Sequence, residues 1–323
     1  MIAAQGFASP LFDDHTPLEI TLTGPVHAVI AGKREREEFH FRITLTGGGP
    51  LELKVRVRGN SRLRVCDFPP LRLDFSGQAV ENTLFQGQKR LKLVTHCNDR
   101  SRDAGNVIDE YLAYRIFNAV SPFSYRTRLL RIGYIDTDGT GDAAQSRWGF
   151  LIESNEDLAS RMGATVAEIA GVPYSRVDHE QAALMYVFEY LIGNTDWSLV
   201  TSLNDDHCCH NVDIFEAGGQ YVVVPYDFDL AGLVDASYAK PDPSVPIRSV
   251  RTRRYRGYCL PRDVLTAALH RIKALQAEVI ALADAGPADH DHDTSWRSSY
   301  LREFFERAAD EVRLISDFER RCL

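Results

Sequence analysis

No run of apolar residues in this 323-residue chain approaches the roughly 20 needed for a helical membrane span. That excludes a transmembrane helix as the expected anchor. Positive charge is not in excess either, because the formal net charge is -8. A general nucleic-acid binder is therefore not expected, since phosphate backbones are held mainly by Lys and Arg. Residues Met1 to Ala8 lack both a basic n-region and a long apolar core, and so do not read as a signal peptide. Nor does the chain contain an internal repeat or a Cys-x-x-Cys pair. His207-Cys208-Cys209-His210 has zinc-binding residue types, but adjacent cysteines lack the usual spacing, so zinc is not expected.

What is present is an ordinary globular composition, 44% hydrophobic and 25% charged, long enough for two domains or one bilobal unit. Six cysteines leave two states open: Cys66 and Cys97 could pair across an N-terminal sheet, or remain buried thiols.

Residues 1–150 read as strand-rich. Leu18 to Thr23, Leu51 to Arg58, Leu71 to Phe75, Leu91 to Thr95, Leu129 to Ile135 and Trp148 to Ile152 are short alternating or apolar runs, expected to form one antiparallel sheet. Asn106 is placed to cap a helix with apolar positions at Ile108, Tyr111, Leu112, Ile116 and Ala119. Residues 151–323 read as mainly helical. Asp178 is a candidate N-cap for a helix ending at Gly193, Asp263 to Ala283 is one amphipathic run, and Trp296 to Phe318 is a last helix. Between those last two, Asp284 to Thr294 reads as a solvated linker whose alternating His and Asp could bind adventitious metal.

The richest stretch lies between Leu191 and Leu230. It carries Gly193-Asn194-Thr195-Asp196-Trp197, then His210-Asn211, then Tyr226-Asp227-Phe228-Asp229. Asn211 to Phe215 and Gln220 to Val224 alternate as strands around the turn residues Glu216 to Gly219, which predicts a β-hairpin. An antiparallel pair brings its first and last residues together, so Asn211 and Asp227 are expected side by side. An amide and a carboxylate there suit Mg²⁺, which takes one or two carboxylates and leaves other positions to water and phosphate oxygens. Asp227 and Asp229 complete the candidate metal set, and Asp196 is the candidate catalytic residue. Each aspartate alone is equally a turn former. Their order around a hairpin is what points to chemistry.

Several motifs resemble the CotH-like atypical protein kinase family, named for a bacterial spore-coat protein. They are Arg58-Gly59-Asn60-Ser61-Arg62, Cys66-Asp67-Phe68-Pro69-Pro70-Leu71-Arg72-Leu73, Leu84-Phe85-Gln86-Gly87-Gln88-Lys89, Leu91-Lys92-Leu93-Val94-Thr95-His96-Cys97, Gly193 to Trp197 and Val224-Pro225-Tyr226-Asp227-Phe228-Asp229. The resemblance spans residues 17–260 and is strongest to an uncharacterised bacterial branch. It implies an α+β, bilobal, protein-kinase-like fold with an antiparallel β-rich N-lobe, residues 1–150, and a helical C-lobe, residues 151–323, carrying the hairpin. It also implies ATP, Mg²⁺ or Mn²⁺, phosphoryl transfer to Ser, Thr or Tyr of a protein, and relatives that are commonly exported. Here Leu199 to Cys209 reads as an insertion, and Asp206, five positions before Asn211, rivals Asp196 for the catalytic role.

The candidate nucleotide side comprises Arg58, entering a Gly-Asn-Ser turn, Arg72 and Lys92, each a cation flanked by leucines in a strand, Glu110 on the predicted helix, and Glu153 after a strand. Arg72 and Lys92 could equally belong to the wet face of a sheet, and Glu110 to a helix surface. The basic run Ile247 to Arg256 is either a docking face for an acidic protein substrate or a solvated loop. Two further functions stay open, a metal-dependent phosphoesterase and a nucleotide-binding interaction module without transfer activity. Nothing in the sequence sets the oligomeric state.

Overall fold

The structure is a computed structural model, and it describes residues 10–99, 101–139, 146–200, 208–287 and 295–323. Asp206, the linker's His-Asp run and His207 lie outside the described residues. The chain divides into two compact units, Met1–Tyr111 with Arg126–Asp157, and Leu112–Tyr125 with Leu158–Leu323.

The first unit is built on seven strands: β1 (Leu18–Gly24), β2 (Phe39–Leu45), β3 (Pro50–Val57), β4 (Leu71–Asp74), β5 (Arg90–Val94), β6 (Thr127–Asp136) and β7 (Arg147–Ile152). Short helices α1 (Val26–Ala31) and α2 (Arg62–Val65) fill the early connections, and α3 (Ser101–Val120) follows β5. The strands close in the order β1-β2-β3-β4-β5-β7-β6, with β6 returning to β1. That last pairing is parallel, Leu18 opposite Leu130 and Gly24 opposite Asp136, whereas the other barrel pairs are antiparallel.

This corrects the expected bilobal kinase-like fold with one antiparallel N-lobe sheet. A closed mixed barrel has no free sheet edge, and its closure joins strands more than a hundred residues apart in the chain. Strand β2 was also not among the expected runs. Its Phe39-His40-Phe41-Arg42-Ile43 alternation buries Phe41 and Ile43 inward, and without it the sheet cannot close.

Period-2 alternation aims Leu22, Ile43, Leu53, Val55, Leu73, Leu91, Leu93, Ile132 and Leu151 into the barrel, which is a packed core rather than a channel. Gly149 on β7 marks a close approach, for a Cβ there would stand 2.8 Å from the Val94 carbonyl oxygen. A disulfide between Cys66 and Cys97, Cα atoms 4.6 Å apart, ties the segment before β4 to the one after β5. Helix α3 starts at Ser101, five residues before Asn106, so Asn106 is a buried mid-helix residue and not the cap.

The second unit contains α4 (Asn155–Met162), which begins at the boundary, the small strand β8 (Thr165–Val166), α5 (His179–Ile192), the hairpin β9 (Val212–Ala217) and β10 (Gln220–Pro225), then α6 (Arg262–Ala274), α7 (Gln276–Asp284), α8 (Ser295–Ala309) and α9 (Glu311–Arg321). Helix α5 is buried on nearly every side, as expected of a central helix. Asp178 Oδ1 accepts the Gln181 N–H at 3.0 Å at its start. At its end Gly193 is left-handed, φ 68°, and a Cβ there would collide with Tyr300 Oη. The run Asp263 to Ala283 is two helices broken at Leu275, and the last helix is interrupted at Asp310, which caps α9 by accepting the Arg313 N–H. Phe318 of α9 stacks on Tyr255 at 4.4 Å and meets Tyr190 of α5 edge-on at 4.9 Å. Cys259–Cys322 and Cys208–Cys209 are also disulfides, so all six cysteines are paired.

Candidate active site around Asp196

The left-handed turn at Gly193 lifts the chain off α5, and Asn194 then fixes the loop by accepting the Asp196 N–H at its Oδ1, 3.0 Å away. Ser198 and His210 exchange backbone hydrogen bonds, both 3.0 Å, which brings Asp196 and Asn211 together. The Asp196 carboxylate is thereby held at both oxygens. His210 Nε2 lies 3.2 Å from Oδ1, and Asn211 Nδ2–H donates to Oδ2 at 2.9 Å and to the Asp196 carbonyl at 2.7 Å. The Arg256 guanidinium donates to the Thr195 carbonyl one residue earlier, and Trp197 on the other side stacks on Tyr186 at 5.4 Å.

The hairpin forms with Val212 opposite Pro225, and the Tyr226 N–H donates to the Asn211 carbonyl at 3.0 Å. Asn211 therefore faces Tyr226, and Asp227 comes one residue beyond. Both Asn211 and Asp227 adopt left-handed backbone, φ 53° and 62°. Non-glycine residues of that kind are costly unless the surroundings impose them, and they concentrate at functional sites. Here the Asp227 N–H donates to Tyr114 Oη at 2.9 Å, while the next residue, Phe228, is fully buried against Tyr114 and Phe188. Asp229 is buried and accepts the Tyr238 hydroxyl at 2.9 Å.

Among the described residues no group of three or more His, Cys, Asp or Glu is arranged as a metal cage. The oxygen donors that fit a hard cation are Asn211 Oδ1, left over once Nδ2 has donated to Asp196, and the Asp227 carboxylate. That pair matches the sparse protein ligation of Mg²⁺, which retains several waters.

The electrostatics are uneven. The hydrogen bond to Asp196 raises the His210 pKa above its ordinary value against the opposing effect of burial, helped by the charges of Asp196, Asp227 and Asp242. Glu189, on α5, is 1% exposed, and burial pushes its carboxyl pKa well above the usual range. The Asn194 side chain opposes that rise and the Asp196 charge adds to it. Sequence reading passed over Glu189. Its signal was a carboxylate between Phe188 and Tyr190 in an otherwise apolar helix.

Because the folded His210 pKa is raised, its contribution to stability is complete below the free value of 6.5 and is lost as pH rises through the folded value. Thermal unfolding of His210→Gln is therefore expected to fall furthest below wild type near pH 6, with the gap narrowing toward pH 9. A gap that widens with pH would contradict the His210–Asp196 pairing.

The remaining predicted residues lie in the barrel unit. Arg72 on β4 is opposite Arg56 on β3 and Lys92 on β5, and all three alternate with buried leucines or valines, forming a cationic row on the outer face. Burial and the neighbouring charges of Arg56 and Arg90 lower the Arg72 pKa. The Arg58 N–H donates to Pro70 O at 2.8 Å, holding the turn after β3 to the chain entering β4. Glu110 ion-pairs with Arg62 at 2.7 Å, both buried. Glu153 is fully buried, and its two oxygens receive the Arg126 N–H and Nε–H, each at 3.0 Å.

Three arginines of the basic run have partners within the unit. Arg251 pairs with Asp235 at 2.5 Å and lies over Trp296, Arg253 is buried against the Leu191 and Tyr300 carbonyls, and Arg256 holds Thr195. No helix among the described residues is long and apolar enough to cross a membrane. Comparison with protein-family models and with curated proteins gave no match.

Proposed function

We propose that the second unit is a metal-dependent phosphotransferase site that moves the terminal phosphoryl group of ATP to a Ser, Thr or Tyr hydroxyl of a protein. The observation that carries this reading is the Asp196 carboxylate, held at both oxygens by His210 and Asn211 beside the hairpin end that bears Asp227. Phosphoryl transfer asks little covalent chemistry of a protein. It needs positioning and charge neutralisation.

In this reading Asp196 accepts a hydrogen bond from the acceptor hydroxyl and aims its oxygen, while His210 and Asn211 keep the carboxylate from rotating. Asn211 and Asp227 would hold Mg²⁺ or Mn²⁺, which supplies neutralisation of the phosphate charge. Asp229, buried and bonded to Tyr238, supports the backbone around Asp227. On the barrel unit, the row of Arg56, Arg72 and Lys92 offers cations suited to polyphosphate by itself. The resemblance to CotH-like kinases supports the same chemistry through its motifs, without the bilobal fold. Three disulfides favour an oxidising compartment for the protein.

Calorimetric titration of ATP in the presence of Mg²⁺ or Mn²⁺ tests the metal assignment. Binding is expected to weaken roughly tenfold or more on chelation, and by a similar factor in Asn211→Ala or Asp227→Ala. Equal affinity with and without metal would remove Asn211 and Asp227 from that role.

A further inference from the structure

Helix α5 carries a buried acid, Glu189, that the chemistry assigned to Asp196 leaves unused. Glu189 and Asn194 are each 1% exposed, in a helix end otherwise packed with apolar side chains. A polar group buried without a hydrogen-bond partner costs about 1–3 kcal/mol, so two of them together call for a reason.

The main chain sets them against each other. At the end of α5 the Asn194 N–H donates to the Glu189 carbonyl at 2.8 Å and the Gly193 N–H donates to the Tyr190 carbonyl at 3.2 Å, around the left-handed Gly193. These two bonds are the Schellman pattern of helix termination, in which the first of these residues and the last meet side chain to side chain, usually through an apolar contact. Here the two positions are Glu189 and Asn194. The contact is polar instead.

The orientation of the Asn194 amide follows from its other bond. Oδ1 accepts the Asp196 N–H at 3.0 Å, and only the amide oxygen can accept, so Nδ2 is turned away from Asp196. Among the described residues Nδ2 has no partner in full hydrogen-bond geometry elsewhere, and neither has either Glu189 carboxyl oxygen. The Asn194 side chain nonetheless lowers the Glu189 pKa against the upward push of burial, as a donor facing that carboxyl does. With no acceptor at position 189 the amide would be free to rotate, and the Asp196 N–H would lose its anchor.

We propose that Glu189 is a positioning residue for Asp196: its carboxyl holds the Asn194 amide with Oδ1 turned to the Asp196 N–H, and so fixes the backbone of the residue whose carboxylate His210 and Asn211 hold. The role rests on the reading of Asp196 as the group that aims the acceptor hydroxyl.

Glu189→Leu in the full chain tests it, because leucine fills similar space without an acceptor, while Glu189→Gln keeps one oxygen. The readouts are phosphoryl transfer from γ-labelled ATP, ATP affinity with metal by calorimetry, and NMR titration of the His210 imidazole. In Glu189→Leu transfer is expected to slow about tenfold or more with ATP affinity close to wild type, and the His210 pKa to fall toward 6.5. Glu189→Gln is expected to recover most of both. Met185→Ala, a fully buried truncation elsewhere on α5, is expected to lower thermal stability and leave the His210 pKa in place. The proposal is overturned by an unmoved His210 pKa in Glu189→Leu, by no recovery in Glu189→Gln, or by an equal fall in Met185→Ala. Should Glu189→Leu not fold, Asn194→Ala carries the test from the other end: the Glu189 carboxyl, followed by carbon-13 NMR, is expected to titrate at higher pH than in wild type, and an unchanged titration overturns the proposal. A wild-type chain that transfers no phosphoryl group defeats the reading of Asp196, and the His210 titration then still decides whether Glu189 positions it.

Discussion

Asp196→Ala is expected to lower phosphoryl transfer by about 10²–10⁴-fold, the range for loss of a positioned acid or base. The reason is geometric. Asp196 is tied through its N–H to Asn194 and through its carboxylate to His210 and Asn211, so the carboxylate has one orientation. Asp196→Asn keeps the shape and removes the charge. It is expected to lose nearly as much activity and to lose the raised His210 pKa with it, a change visible by NMR titration of the imidazole. Asp206→Ala is the matched control, since sequence spacing alone made it the rival. A variant series in which Asp206→Ala loses activity and Asp196→Ala keeps it would move the catalytic role to Asp206.

Phe228→Ala is expected to cost about 3–5 kcal/mol of stability, the usual range for a buried aromatic truncated in a core. Phe228 is fully buried between Tyr114, 4.7 Å away, and Phe188, 5.4 Å away. It also separates two functional candidates, Asp227 and Asp229. Truncation empties the space that keeps the left-handed Asp227 in place, so ATP affinity with metal is expected to fall as well. Phe228→Leu, which refills part of the volume, is expected to recover part of both. Denaturant unfolding checks the first effect. A loss below about 1 kcal/mol would mean that the core beneath the hairpin is looser than its packing indicates.

Much of the local structure was legible because it depends on neighbours in sequence. The helix from His179 to Ile192 shows Asp178 and Gln181 at its start and Gly193 at its end, and the hairpin shows Gly218-Gly219 between two apolar runs. The barrel was not legible. Its closure depends on β1 lying parallel to β6, a pairing that alternation in either strand cannot specify, and on β2, where His40 and Arg42 disguised an inward-facing strand.

The candidate site was read in part for the same reason. The expected register set Asn211 beside Asp227, whereas the hairpin sets it opposite Tyr226, one residue short. The joining of Asp196 to His210 and Asn211 depends on a bridge from Ser198 to His210 that alternation does not reveal. The arginines of the basic run looked like a surface until their partners were visible. Arg253 and Arg256 spend their charge on backbone carbonyls, and carbonyl positions have no sequence signature.

The most direct test is incubation of the full chain with γ-labelled ATP, Mg²⁺ or Mn²⁺ and candidate acceptor proteins, beside Asp196→Ala and Asp227→Ala. Label transferred to protein hydroxyls by wild type and absent from both variants is the predicted result. No transfer by wild type with either cation, or equal transfer by all three chains, would contradict it.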